Sequence, residues 1–134
     1  AVTTNIWTNS TDDAKVSWAL RKDYAEAIAK VLTTDGHENT VYELSRKPVS
    51  VKELVGEISK VTGKEITVNN IDKTQYSEML KSNGLPEPVV EFIVSLQTSI
   101  TNGSLNVESE DFEKLLGHPV TSIEDSVKEI INNL

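Results

Sequence analysis

The chain has 134 residues, no cysteine and a formal net charge of −8 at pH 7. That length fits one domain with a core that needs neither a disulfide nor a metal, and the missing cysteines exclude disulfides, thiolate nucleophiles and sulfur-ligated metals together. The acidic balance speaks against a nucleic-acid partner, because phosphate binding relies on clustered cations and only Lys60 and Lys64 come near to forming a patch.

Residues 1–14 read as an extended lead-in, with Asn5-Ile6-Trp7-Thr8 patterned as a short strand and Asn9 to Asp13 as a turn cluster. This polar start lacks the basic and apolar regions of a secretion signal. Val16-Ser17-Trp18-Ala19-Leu20 alternates as a second strand and leads into a helix over about 22–33. Tyr24, Ala27, Ile28, Val31 and Leu32 recur there at helical spacing and form one apolar stripe. Asp23 sits in the first turn, where a carboxylate meets the positive end of the helix dipole. The helix stops at Thr33-Thr34-Asp35-Gly36, with Gly36 free to take the left-handed conformation that helix ends often need. Val41-Tyr42-Glu43-Leu44-Ser45 alternates as a third strand, and Pro48 discourages its ladder from continuing. The run Arg21–Ser45 is thus half of an α/β crossover unit, and the rest of the chain is organised around it.

Ser50-Val51-Lys52-Glu53 is a capping box, in which hydroxyl and carboxylate each satisfy a free backbone donor. The helix behind it buries Leu54, Val55, Ile58 and Val61 and ends at Thr62-Gly63. Glu65 to Asn69 alternates as a fourth strand. A box at Asp72-Lys73-Thr74-Gln75 opens a helix that stops before Gly84. Pro86 and Pro88 open a longer one whose broad apolar face includes Val89, Val90, Phe92, Ile93 and Leu96. Ser109 caps a short helix holding Phe112, Leu115 and Leu116. Thr121-Ser122-Ile123-Glu124 is a further capping box ahead of a last helix with Val127, Ile130 and Ile131 inward. The order is β-β-α-β-α-β followed by four helices, as a single domain over 1–134. No apolar run approaches the roughly 20 residues of a membrane span, and the expected setting is cytoplasmic.

The chemistry of a self-contained enzyme is missing. A dinucleotide or phosphate loop needs closely spaced glycines so that amides can approach a pyrophosphate, and no two of Gly36, Gly56, Gly63, Gly84, Gly103 and Gly117 are near neighbours. No tyrosine has a lysine four residues on: Tyr24 is followed at that spacing by Ile28, Tyr42 by Arg46 and Tyr76 by Leu80. His37 and His118 lie apart, each in a turn, with no HExxH helix, so both read as structural or solvated residues. The acidic pair Asp12-Asp13 and the group Glu108, Glu110 and Asp111 match no calcium loop. Trp7 and Trp18 read as pins that fasten a polar loop to the core, the alternative being the wall of a pocket.

RKDYAEA at 21–27, VYEL at 41–44, LVGEISKVTG at 54–63, NGLP at 83–86 and LGHPVTS at 116–122 occur here in an order and spacing that resemble the carboxyl-terminal part of NmrA-like proteins. These are atypical short-chain dehydrogenase/reductases, and the likeness is strongest to their NAD(P)H-dependent quinone oxidoreductase branch. It runs from about Trp18 to Val127. The resemblance implies an α/β fold (α+β as an isolated fragment): the last strands and helix of a Rossmann-like sheet plus a small helical substrate lobe. The amino-terminal nucleotide-binding part would be absent, so NAD(P)H is the cofactor expected of a full-length parent and this chain alone would be inactive. The implied substrate is a small-molecule quinone or carbonyl compound. The alternative is a redox-sensing regulatory or protein-binding module, as in relatives that lack reductase activity. On the same analogy the strands at 16–20 and 41–45 belong to the large sheet, Ile6 and the strand at 65–69 pair within the lobe, and the helices from 72 onward form a lid. Trp18, Arg21 and Asp23, where the second strand meets the helix, would border the substrate cleft. A strand at 41–45 cut from a larger sheet would leave an unpaired edge, which predicts self-association.

Overall fold

Local capping chemistry sets several of the helix boundaries. A computed structural model of the chain describes residues 3–133; Ala1 and Val2 of the expected lead-in, and Leu134, lie outside the described residues. The elements run β1 (Ile6–Asn9), β2 (Lys15–Val16), α1 (Arg21–Thr33), β3 (Val49–Ser50), α2 (Val51–Thr62), β4 (Thr67–Asn70), α3 (Lys73–Ser82), α4 (Glu87–Thr101), α5 (Asp111–Leu116) and α6 (Ile123–Asn132). The box at the start of α2 forms as read from the sequence. Glu53 donates its amide to Ser50 Oγ at 3.2 Å, and Ser50 donates its own to Glu53 Oε2 at 2.7 Å. Asp72 caps α3 through the Gln75 amide at 2.9 Å, and Pro88 sits in the first turn of α4. Gly36, after α1, has φ +90°, the left-handed region the sequence reserves for it.

The strands form two small sheets instead of part of one large sheet. β1 and β4 pair in parallel, Ile6 opposite Thr67 and Asn9 opposite Asn70, which joins the two segments expected to meet within the lobe. β2 and β3 make a two-residue antiparallel pair, Lys15 opposite Ser50 and Val16 opposite Val49. The strand expected over 16–20 therefore ends at Val16. Trp18 donates its amide to Val16 O at 3.1 Å, a tight three-residue turn that bends the chain out of extension.

The strand expected over 41–45 is also absent: residues 41–48 carry no ladder. A strand exists only through a pairing partner, and here the Glu43 amide goes to Asp111 Oδ2 at 3.2 Å and the Arg46 amide to Ser17 Oγ at 2.6 Å. The strand edge expected to drive self-association is consequently not formed.

Two apolar clusters hold the chain together. In one, Val51, Val55 and Ile58 of α2 meet Ile66 and Val127 of α6, with Trp7 and Val68 alongside. In the other, Ala27 of α1 meets Phe112 and Leu116 of α5 and Val120, flanked by Tyr24 and Leu44. The helices after residue 72 accordingly go to different places: α3 packs on α4, α5 on α1 and α6 on α2. Among these, α3 and α4 pack on each other as a hairpin, while α5 and α6 each pack on an earlier helix.

Candidate substrate-side site

The three residues that the sequence places at the cleft border fall in one short run, but they do different things. Asp23 is 2% exposed. Its carboxylate accepts the Thr121 amide at 3.2 Å and the Thr121 hydroxyl at 2.9 Å. A buried carboxylate needs such partners, because burying an unpaired charge is expensive. Arg21 is exposed at the first position of α1. Trp18 is half-buried and lines an apolar recess of about 130 Å³ together with Leu20, Leu54, Ile123, Val127 and Ile130. Its indole Nε1 is buried without a hydrogen-bond partner.

Arg46 and Thr121 complete the support beneath this run. The Arg46 guanidinium donates to Thr121 O at 2.5 Å while its amide binds Ser17 Oγ, so Thr121 is held at amide, hydroxyl and carbonyl. Sequence reasoning missed both residues. The available signal was an aspartate on an otherwise apolar helix face, which demands a donor from elsewhere in the chain. Thr121 is also not the cap of α6: Ser122 takes that position, its Oγ accepting the Asp125 amide at 3.0 Å.

Tyr24, His37 and His118 each have partners within the fold. Burial, and secondarily the nearby Asp23, pushes the Tyr24 phenol above its ordinary range, and its ring packs on Phe112 with centroids 4.9 Å apart. A phenol held protonated in this way is no base at neutral pH. His37 bridges Thr34 Oγ1 and Tyr42 Oη, each at 2.7 Å. The His118 pKa is raised, first by its hydrogen bond to Pro119 O and then by Glu26, whose carboxylate is 3.1 Å from Nε2.

The carboxyl ends of the parallel strands β1 and β4 hold two concavities. One cavity of about 770 Å³ lies beside Ser10, Asp12, Asn70 and Gln75, and another of about 590 Å³ beside Asp12, Lys52, Ser59 and Asn70. Ligands of open α/β sheets sit at such strand ends, and here Asp12 and Asn70 bridge them by two mutual hydrogen bonds. Ser10 donates its amide to Gln97 Oε1 at 3.1 Å, which ties α4 to the same end. Among the described residues no group of three or more His, Cys, Asp or Glu is arranged to hold a metal. Nor do the scattered glycines provide the cradle a dinucleotide pyrophosphate needs. The arrangement can shape a cleft and offer hydrogen bonds.

No protein-family model matches the chain. Quinone oxidoreductase 2 of Escherichia coli (strain K12) is 33% identical over 128 residues, covering 95% of this chain and 45% of that protein. Prestalk A differentiation protein A of Dictyostelium discoideum is 29% identical over 119 residues, covering 88% and 40% respectively. The E. coli NADPH-dependent quinone oxidoreductase complexed with NADPH superimposes with a TM-score of 0.92 at 32% identity, over 98% of this chain and 47% of that one. The triphenylmethane reductase of Citrobacter sp. gives 0.91 at 29% identity, over 98% and 46%. The chain spans about half the length of these relatives. It is homologous to the carboxyl-terminal part of E. coli quinone oxidoreductase 2 and triphenylmethane reductase, NmrA-like atypical short-chain dehydrogenase/reductases.

Proposed function

We propose that residues 1–134 are the substrate-side part of an NAD(P)H-dependent oxidoreductase acting on a quinone or related carbonyl compound, with the nucleotide-binding part supplied by upstream chain. The observation that supports this most is the superposition of 98% of the chain on 47% of a relative solved with NADPH. In this reading the dinucleotide is held by the other part, and reduction itself belongs there. What this chain contributes is a surface that orients a flat substrate and excludes water.

In this reading Trp18 and Arg21 border the cleft. Asp23 is a positioning residue, holding the start of α1 against Thr121. The α3–α4 hairpin covers the substrate with the face of α4 that carries Val89, Phe92 and Leu96, all exposed here. A chain without cysteine suits a reducing compartment such as the cytoplasm.

The test is turnover by the full-length protein. Given NADPH and 1,4-benzoquinone, it oxidises the cofactor, and Trp18→Ala raises KM more than it lowers kcat. Cofactor binding with no turnover of any quinone or carbonyl compound would overturn the reading. It would favour a regulatory module instead, an alternative supported by the relative from Dictyostelium, which is named for differentiation and not for a reaction.

A further inference from the structure

A polar cavity of about 410 Å³ is lined from two distant stretches of the chain. Ser45, Arg46 and Lys47 supply a hydroxyl and two cations, and Glu108, Glu110 and Glu113 supply carboxylates. The cavity shares no lining residue with the Trp18 recess or with the two concavities at the ends of β1 and β4. Its volume is that of a site for a small molecule, for which about 300–1,000 Å³ is usual.

Ser45 is the signal that a ligand belongs there. It is only 6% exposed, yet its Oγ has no hydrogen-bond partner among the described residues. A buried hydroxyl left unpaired costs free energy and marks a place for a missing partner. Beside it, half-buried Arg46 spends one guanidinium nitrogen on Thr121 O, which leaves the rest of its fork without a partner among the described residues. Lys47 makes no ion pair there and acts on Glu53 only from beyond contact distance. Of the carboxylates, Glu110 is held by Lys114 at 3.0 Å, and Glu113 accepts the Val120 amide through Oε1 at 3.2 Å. The other oxygen of Glu113 and the whole carboxylate of Glu108 are left over.

We propose that this cavity binds a small zwitterion of dipeptide size, a ligand separate from the quinone-side surface. Its carboxylate accepts from the Ser45 hydroxyl and the remaining guanidinium donors of Arg46, with Lys47 adding charge. Its ammonium group is met by Glu108 and Glu113. A plain anion would sit against the carboxylates, and a plain cation against Arg46 and Lys47, so each alone meets a like charge. The two stretches are already tied together: the Glu43 amide reaches Asp111 Oδ2 at 3.2 Å, and the Asp111 amide reaches Ser109 Oγ at 3.1 Å. A ligand therefore finds both sets of groups in place, and little ordering opposes its binding.

The experiment is an NMR titration of residues 1–134 with L-alanyl-L-alanine. Amide signals at 45–47 and 108–113 shift and saturate with a dissociation constant of about 1 mM or tighter. The N-acetylated dipeptide and the carboxyl-amidated one each bind about tenfold more weakly or worse, since each lacks one charge. Ser45→Ala weakens binding by about tenfold. Its melting temperature stays at the wild-type value or rises, because the hydroxyl had no partner to lose. Glu108→Gln, at an exposed position, weakens binding by a similar factor and leaves the fold intact. Equal binding of the three dipeptides, no saturable shift at 45–47 and 108–113, or wild-type affinity in Glu108→Gln would overturn the proposal. Quinone turnover is read separately, so neither result decides the oxidoreductase reading.

Discussion

Thr121 gives both its amide and its hydroxyl to the carboxylate of Asp23, a residue 98 positions earlier in the chain, at 3.2 and 2.9 Å. This contact fastens the first turn of α1 to the entry of α6 and fixes the run from Trp18 to Asp23. Asp23→Asn turns one acceptor into a donor facing donors, and is expected to destabilise the fold by about 2 kcal/mol. Thr121→Val removes only the hydroxyl and should cost about 1 kcal/mol. Chemical denaturation of both variants and of the double variant measures this. The two effects should not add, since they act on one contact.

At the start of α2, Ser50→Ala should cost about 1 kcal/mol, the usual value for a lost helix cap. The Ser50 amide, then its hydroxyl, holds the Glu53 carboxyl below its ordinary value of 4.5. A lowered folded pKa gives stability that is present above that ordinary value and fades as the pH falls through the folded one. In Ser50→Ala the Glu53 titration midpoint, followed by NMR, should therefore move up while remaining below the unfolded value.

For His118 the sign is opposite. Its pKa is raised above 6.5 by the Pro119 carbonyl and by Glu26. The stabilisation from protonated His118 is complete below pH 6.5 and is lost as the pH rises through the higher folded value. NMR titration should give a lower midpoint in Glu26→Gln than in the wild type. An unchanged midpoint would remove Glu26 from the explanation.

Phe112 is fully buried between α5 and α1, against the Tyr24 ring. Phe112→Ala should cost about 3–5 kcal/mol. It should also loosen α5 from α1 before it affects the α2–α6 cluster, because the two apolar clusters are separate. Hydrogen exchange resolved by helix reports the order.

What was legible in the sequence was mostly what neighbouring residues decide. The Ser50–Glu53 box, the Asp72 cap, the prolines opening α4 and the glycine after α1 are all short-range arrangements, and each formed. The pairing of the Ile6 segment with residues 65–69 came from the family resemblance and formed with its boundary moved to Thr67–Asn70. What failed depends on partners far along the chain. Residues 41–45 have the alternation of a strand but no strand beside them. The pattern at 121–125 allows either hydroxyl to cap α6, and the choice of Ser122 follows from the engagement of Thr121 with Asp23. Of the candidate site, the supports Arg46 and Thr121 beneath the run Trp18–Asp23 were not legible, because only the fold brings them there.

The central claim, that this chain carries the substrate side without the nucleotide cradle, is tested most directly by calorimetric titration of residues 1–134 with NADPH. The account predicts no saturable binding tighter than about 1 mM. One-to-one binding with a dissociation constant of about 1 μM or below would contradict it.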